Sequence, residues 1–488
     1  MPSNRLVTTL VAALLPSIVA AGQPGPDFVN GDLVLFTGDA GSPNGAWCWF
    51  QDERAIVVQQ ADEPVLMFTA ISASDEIDEE MGDLDFYWYG LDSGKAGTLE
   101  FHDRFGQDDH NVAALYQLDN GRTLAVYARH NDDRKTYSRL SSPHHPGTWD
   151  EAVVFEGEAK STYNNLLTVG TSDERKLLDF SRLQGWNPNF LVFNEDLGTW
   201  SYGGRLLSSE GRPYMKYANS PDGATIHVVA TDQHPRDFDN SIYHGVTDGK
   251  ALFNSHGELL DADLTDQEAA QPEQLTTVFA GDADNVAWMT DVAADPDNRP
   301  VIAFSVQKDG RDLPKGSGGA DHRYHIAWLD DDSWNNHEIA FAGERLYPLE
   351  DDYTGLVAID PEDVHHLVIS TNADPVTGAP LVSSADGKRH YELFSGRWDE
   401  SGAPIDWHAL TAHSTVDNIR VRTCPMTSRW DAKSRGKGRQ FHYRPGKSGP
   451  PNWAASPNSS SIRRSWLYLA MRSDRDADPV LICPVAMA

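Results

Sequence analysis

Three stretches of the chain gather imidazole, phenol and guanidinium groups at short spacing. Asp108-Asp109-His110-Asn111 is followed by Arg129-His130-Asn131, then Thr162-Tyr163-Asn164-Asn165 by Ser181-Arg182 with Trp186 and Asn187 close behind. The third stretch is Arg212-Pro213-Tyr214-Met215-Lys216-Tyr217 with Asp232-Gln233-His234-Pro235-Arg236. A histidine and a tyrosine that move protons, beside an arginine that pairs with a carboxylate, suit proton abstraction α to that carboxylate. In a uronic acid the C5 proton is only weakly acidic, so the charge that builds on the C6 carboxylate as the proton leaves must be offset. A guanidinium offers a fixed bidentate donor for this. Expelling the C4 oxygen then needs a proton donor on the leaving side, which Tyr or His supplies, and the elimination calls for no metal or organic cofactor.

Hydrolysis would look different. A glycosidase needs two carboxylates facing each other across the scissile bond, and these three stretches hold no obvious pair, although Asp52, Asp232 and Asp352 keep that alternative open. Ser384-Ala385-Asp386-Gly387 partly matches the Asp-box turn of sialidase-type enzymes, a structural motif rather than a catalytic one.

Strands must position these groups. Helical periodicity is scarce, while short runs of alternating or β-branched residues recur between Gly, Asp, Asn and Pro clusters. Leu115-Tyr116-Gln117-Leu118, the turn Asp119-Asn120-Gly121-Arg122 and Thr123-Leu124-Ala125-Val126-Tyr127 read as strand, tight turn and strand. Equivalent turns stand at Ala61-Asp62-Glu63-Pro64, Ser172-Asp173-Glu174-Arg175, Ser220-Pro221-Asp222-Gly223, Asp295-Pro296-Asp297-Asn298 and Asp360-Pro361-Glu362-Asp363, with a last one at Asp417-Asn418-Ile419-Arg420. Hairpins at intervals of roughly 50 to 70 residues, each with room for two outer strands, predict an all-β propeller of seven four-stranded antiparallel blades. Leu33-Val34-Leu35-Phe36 is expected to close the ring on the last blade and so remove a free sheet edge. Residues just before the first strand of a blade and just after its second meet at one mouth of the central channel, where all three stretches fall. Farther blades add Gln51, Asp52, Trp288, Tyr353 and Arg420, whereas Asp108, Asp284 and Asp351 read as caps on turn backbone.

The two ends and the composition bound the setting. Arg5, the apolar run Leu6 to Ala20 and the small residues Ala20, Ala21 and Gly22 read as an export signal over residues 1–21, leaving 22–488 as a single secreted domain, extracellular or periplasmic. That run falls short of the ~20 apolar residues of a membrane span. The net charge of −33 argues against nucleic acid or an anionic membrane as partner. A polyanionic substrate must therefore meet a local cationic groove, and the chain is expected to act as a monomer. Of three cysteines, Cys48 reads as a buried apolar residue, while Cys424 and Cys483 both sit in the last stretch, where an exported protein can form a bridge. Lys433 to Arg464 is a basic, Gly/Pro/Ser-rich insertion that reads as a loop.

The ordered motifs resemble those of the BNR-repeat propellers that include the ulvan lyases, most closely polysaccharide lyase family 24. The resemblance rests on Gly45-Ala46-Trp47-Cys48-Trp49-Phe50-Gln51-Asp52, Asp108-Asp109-His110-Asn111, Ala128-Arg129-His130-Asn131, Gly185-Trp186-Asn187-Pro188, the Arg212 and Asp232 stretches quoted above, and Asp351-Asp352-Tyr353-Thr354-Gly355. It implies cleavage of ulvan, a sulfated rhamnose and uronic-acid polysaccharide, by β-elimination, leaving a 4,5-unsaturated uronate at the non-reducing end. It further implies a His/Tyr pair for proton transfer, an Arg that neutralises the uronate, and room for a structural calcium ion. The His role falls on His110 or His130. The Tyr and Arg roles fall on Tyr217 with Arg236, the favoured pair because its loop is richer in polar residues, or on Tyr163 with Arg182. Asn111, Asn131, Tyr163, Asn164, Arg182, Trp186, Arg212, Tyr214, His234, Trp288 and Tyr353 are the expected substrate contacts. Alternatives are a lyase or glycoside hydrolase acting on another rhamnose- or glucuronate-containing glycan, and a non-catalytic glycan-binding propeller.

Overall fold

A computed structural model describes residues 48–423 except 61–62, 72–81, 172–173, 267, 311–312 and 315, together with the backbones of short strands toward both ends of the chain. The export signal, Cys424 and the basic insertion lie outside the described residues, as does the side chain of Cys483. Cys48 is buried and free, as expected.

Six blades follow one another along the chain. The first is Ala55–Gln59, Pro64–Ile71, Leu84–Gly90 and Ala96–His102; the second runs from Ala114–Gln117 and Thr123–Ala128 to Lys135–Ser142 with short outer strands. The third is Leu166–Val169, Lys176–Gln184, Asn187–Asn194 and Thr199–Arg205, and the fourth opens with Met215–Asn219, Ile226–Thr231 and Ile242–Thr247. The fifth and sixth start at Val286–Ala294 and Val357–Asp360. Within each blade neighbouring strands pair antiparallel.

The expectation of seven blades is corrected to six. The first six turns read from the sequence do join the inner two strands of a blade, and their chemistry is visible: Asp295 Oδ1 accepts from the Asp297 and Arg299 amides, Asp222 Oδ1 from Ala224, and Gly121 takes φ +82°. Asp417-Asn418-Ile419-Arg420 is not such a turn. It lies inside the strand Asp417–Thr423, which has a register shift after Ile419 and a φ of +53° at Arg420. Its sheet is completed by Trp466–Asp474, Ala477–Ala486 and the early strand Asp32–Phe36, with Asp32 opposite Val485 and Phe36 opposite Leu481, so strands from both ends of the chain share one sheet.

The hydrophobic core is divided between neighbours rather than pooled. Phe180, Phe190, Tyr217, Val228 and Tyr243 pack the third blade on the fourth; Ala303, Tyr324, Ile359 and Leu367 pack the fifth on the sixth. Val421 joins Ala358, Val368 and Leu393 of the sixth blade, while Ile419 packs into the cluster of the first. Inner strands buried on both faces explain why they read as continuous apolar runs, Pro300–Gln307 being buried throughout.

Down the axis, charge replaces apolar packing. Lys216, fully buried, pairs with Asp52, which also faces Arg54 at 3.5 Å and Arg422 at 3.8 Å. Arg422 in turn bonds Glu53 and reaches Asp291 at 3.1 Å. Three cations and three carboxylates thus tie the first, fourth and fifth blades to the strand Asp417–Thr423.

Candidate active site

The mouth formed by the blade starts carries a connected set of ring and charged groups. Asp108 caps the short 3-10 turn Asp109–Asn111, accepting from the His110 amide at 3.0 Å. Its capping role is the expected one, yet the same carboxylate also faces both imidazoles, His110 Nδ1 at 2.6 Å from Oδ1 and His130 Nδ1 at 2.9 Å from Oδ2. The two rings stack with centroids 4.0 Å apart. His130 is placed by Asn111, whose side-chain oxygen accepts its amide at 2.7 Å while its Nδ2 donates to Gly106 O. Asn111 is therefore a buried staple of the site, and Asn131 the left-handed residue (φ +48°) that turns the chain behind it.

Tyr163 approaches from the third blade. Its ring lies 5.5 Å from that of His110 and 5.6 Å from that of His130. A non-glycine φ of +63° puts it there, a conformation that persists only when its surroundings enforce it. Three buried residues do so: the Asn165 amide group donates to the carbonyls of Phe50, Tyr163 and Phe180, and Asp179 accepts from Asn164 Nδ2 at 2.7 Å and from the Asn165 amide at 3.0 Å. Asn164 thus faces inward to Asp179 and away from the mouth. Burial pushes the Asp179 carboxyl up to about 7.

Arg182 follows the second strand of that blade and pairs with Thr162 across it, as the antiparallel geometry requires. Its guanidinium lies over Tyr163 at 4.9 Å, over Tyr214 at 4.6 Å and over Trp186 at 5.6 Å, with Nη2 donating to Pro213 O at 2.6 Å. Trp186 is half exposed beside it; Tyr214 is buried and packs edge-on to His234 and Trp288. Trp288, Trp49 and Tyr353 form the aromatic floor on the far side.

Tyr217 stands elsewhere. It alternates with Lys216 on the inner strand of the fourth blade, so while Lys216 enters the axial charge network, the Tyr217 ring stacks on Phe180 at 4.8 Å in the core between blades. It also borders a cavity of about 680 Å³ at the opposite mouth, among the hairpin residues Gln117, Asp119, Pro221, Pro296 and Pro361. Arg236 is engaged with Glu350, and Arg212 with Asp237 at 2.9 Å. His234 is buried, its pKa brought down to about 2 by burial and by Arg212 and Arg236, with Nδ1 3.5 Å from Asp352. The structure therefore brings His110, His130, Tyr163 and Arg182 together and leaves Tyr217 apart from them.

Two residues that the sequence placed on this face without a role, Asp109 and Arg420, join the cluster, and Tyr347, which had no legible signal, joins through them. Asp109 sits 2.7 Å from His110 Nδ1 and bonds Arg420 from the other end of the chain; Arg420 Nη2 donates to the Tyr347 hydroxyl at 2.9 Å. Despite burial, Arg420 and His110 hold the Asp109 carboxyl well below the usual range. Burial disfavours the His110 imidazolium, but the ionised Asp109 and the Asp108 hydrogen bond oppose it, and its pKa is raised well above the ordinary value. Burial likewise keeps the Tyr163 phenol protonated, its pKa well above the ordinary one.

Residues 48–342, more than half of the chain, match the BNR repeat-containing family. The protein belongs to that family. No curated protein matches its sequence. The fold of this BNR-repeat protein is similar to that of an ulvan lyase of polysaccharide lyase family 25 (TM-score 0.60, 12% identity, covering 93% of this chain and 96% of that one). A second structure of an ulvan lyase of that family, bound to -[GlcA(1-4)Rha3S]-, gives a TM-score of 0.59 at 11% identity over the same shares of the two chains. The polysaccharide lyase Uly1 matches with a TM-score of 0.54 and 10% identity over 92% of this chain and 91% of its own. Among the described residues of the BNR-repeat protein, three metal-ligating side chains meet in one place, Asp108 with His110 and His130. Two imidazoles and one carboxylate do not suit calcium, which takes six to eight oxygen ligands.

Proposed function

We propose that the protein is a secreted polysaccharide lyase that cleaves ulvan by β-elimination, a reading supported by the likeness of its fold to ulvan lyases. The observation that carries the reading is the convergence of His110, His130, Tyr163 and Arg182 at one mouth of the channel. Arg182, with Nη2 spent on Pro213, has its remaining N–H groups to pair with the uronate carboxylate and offset the charge that develops there. His130 keeps Nδ1 toward Asp108, which leaves Nε2 as the proton acceptor.

In the step itself, the C5–H proton passes to His130 Nε2. The electron pair forms the C4–C5 double bond, the C4–O4 bond breaks, and O4 takes the proton of the Tyr163 hydroxyl. The imidazolium then returns a proton to the phenolate, which restores both groups. His110, held as the cation, stabilises the phenolate in the interval. Trp186 offers the exposed aromatic face for a sugar ring. The favoured pair of the sequence reading, Tyr217 with Arg236, yields to Tyr163 with Arg182 because the Tyr217 ring is in the core between blades.

Purified protein mixed with ulvan should raise the absorbance of the unsaturated uronate, and mass spectrometry should find oligosaccharides with a C4–C5 double bond. Saturated products would mean hydrolysis, and binding with no product at all would mean a lectin-like propeller.

A further inference from the structure

His110 and His130 are bridged by Asp108 in a geometry that a metal ion can replace. The ligand atoms of the three residues all lie within 4.8 Å of one another, and the side chains remain a fifth to two-fifths exposed, open to an ion from solvent. The stacking of the imidazoles sets both Nδ1 atoms on one carboxylate, which is the arrangement left when a bound cation is exchanged for protons. A zinc-class ion sits about 2.0–2.2 Å from nitrogen and carboxylate oxygen, so separations of 2.6 and 2.9 Å between the ligand atoms need only a small spreading to admit one. Asp109 Oδ1, 2.7 Å from His110 Nδ1, adds a second carboxylate beside the site.

The donor set selects the ion. Imidazole nitrogens favour zinc, nickel, cobalt or copper over calcium or magnesium, which prefer all-oxygen shells. Nothing in the elimination above requires such an ion, and the ion and the reaction compete for the same groups.

We propose that Asp108, His110 and His130 form a binding site for a divalent transition-metal ion of the zinc class, and that its occupancy switches the proton-transfer site off. The first half stands on the ligand geometry alone; the second rests on the function proposed above. An ion on the two Nδ1 atoms leaves each neutral imidazole with its proton on Nε2, so His130 Nε2 has no lone pair for the C5 proton, and it adds positive charge where the imidazolium must form. Reversal requires only removal of the ion.

The test separates the two halves. Full-length protein stripped with a chelator is titrated with zinc chloride by calorimetry and, in parallel, with cobalt(II) chloride while its visible ligand-field bands are recorded. One equivalent should bind, cobalt should show bands of nitrogen and oxygen ligation, and calcium chloride should give no saturable heat at this site. His130→Ala and Asp108→Asn should each weaken zinc binding by at least about tenfold, the scale on which metal sites respond to loss of a supporting group. The far-UV spectrum of each variant checks that it is folded, and the cobalt bands of the unaltered protein provide a readout that needs no variant. Absence of a stoichiometric site, or equal affinity in folded variants, overturns the site. If zinc binds and cleavage of ulvan continues undiminished, the switch is overturned while the site stands. If the metal-free protein cleaves no ulvan, the lyase reading fails and the binding result is unaffected.

Discussion

The third and fourth blades each set a tyrosine near the start of the inner strand and an arginine after the second strand, yet only one pair reaches the mouth. Tyr163 precedes its strand and is turned outward by a left-handed backbone, with Arg182 lying over its ring. Tyr217 is inside its strand, on the side facing the neighbouring blade, and Arg236 is taken up by Glu350. A polar-rich loop is thus a poor guide to which side chains meet at the mouth; what counts is whether a side chain lies before the first strand residue or within the alternation of the strand itself. One residue of offset sends Lys216 to the axis and Tyr217 to the core.

The sharpest way to break this comparison is to remove one hydroxyl from each blade. Tyr163→Phe is expected to lower kcat on ulvan by about 10²–10⁴-fold, the usual weight of a proton-transfer group, while Tyr217→Phe should stay within about a few-fold of the unaltered protein. Equal losses in the two would return the role to the fourth blade. The arginines come next. Arg182→Ala should cost on the order of 10²–10³-fold in kcat, as loss of a charge-stabilising donor does. Arg236→Ala should act mainly through KM, because its partner Glu350 is a protein group.

Stability sharpens the same contrast. Lys216→Met leaves Asp52 buried with two more distant cations, 3.5 and 3.8 Å away. Breaking such a pair typically costs about 3–5 kcal/mol, so the denaturant midpoint should fall steeply while turnover per folded molecule is kept. Charge in the fourth blade would then be structural where charge in the third is chemical.

The smallest effect expected is a slope. Asp179, which anchors the Tyr163 turn, holds its proton up to about pH 7 when folded against an ordinary value of 3.8, so the folded state binds a proton that the unfolded chain releases. Stability should therefore decline as pH rises between those values, the folded protein losing its advantage at the upper one. His110 acts in the same direction: its raised pKa contributes stability fully below the ordinary imidazole value of 6.5, and that contribution is lost as pH climbs through the folded value. Urea midpoints between pH 5 and 8 should show the decline, and Asp179→Asn should flatten it.

Much of the fold was legible because hairpin chemistry is local. Asp222-Gly223 and Asp295-Pro296-Asp297-Asn298 announce turns by residue type alone, and six such turns marked six blades. The seventh turn failed because Asp417-Asn418 has the same composition but sits inside a strand, where Asp417 Oδ1 accepts from the Tyr391 amide and Asn418 bonds Tyr391 O and Ser414. Of the candidate site, the residues at blade starts and exits could be found by strand logic, and four of them, His110, His130, Tyr163 and Arg182, lie together in the structure. Their ranking could not, since the left-handed turn at Tyr163 depends on Asn165 reaching back to Phe50, 115 positions away. The Asp109–Arg420 contact spans 311 positions and is visible only in three dimensions.

That last contact has a consequence for how the molecule comes into being. Asp109, Glu53 and Asp291 receive their cationic partners from Arg420 and Arg422, residues translated long after the third blade. A chain that stops before Arg420 holds the imidazole pair without the guanidinium that fixes Asp109, so that contact forms only once the strand Asp417–Thr423 has been made. Synthesis order thus makes the anchoring of Asp109 a late event, joined to blades that are already made.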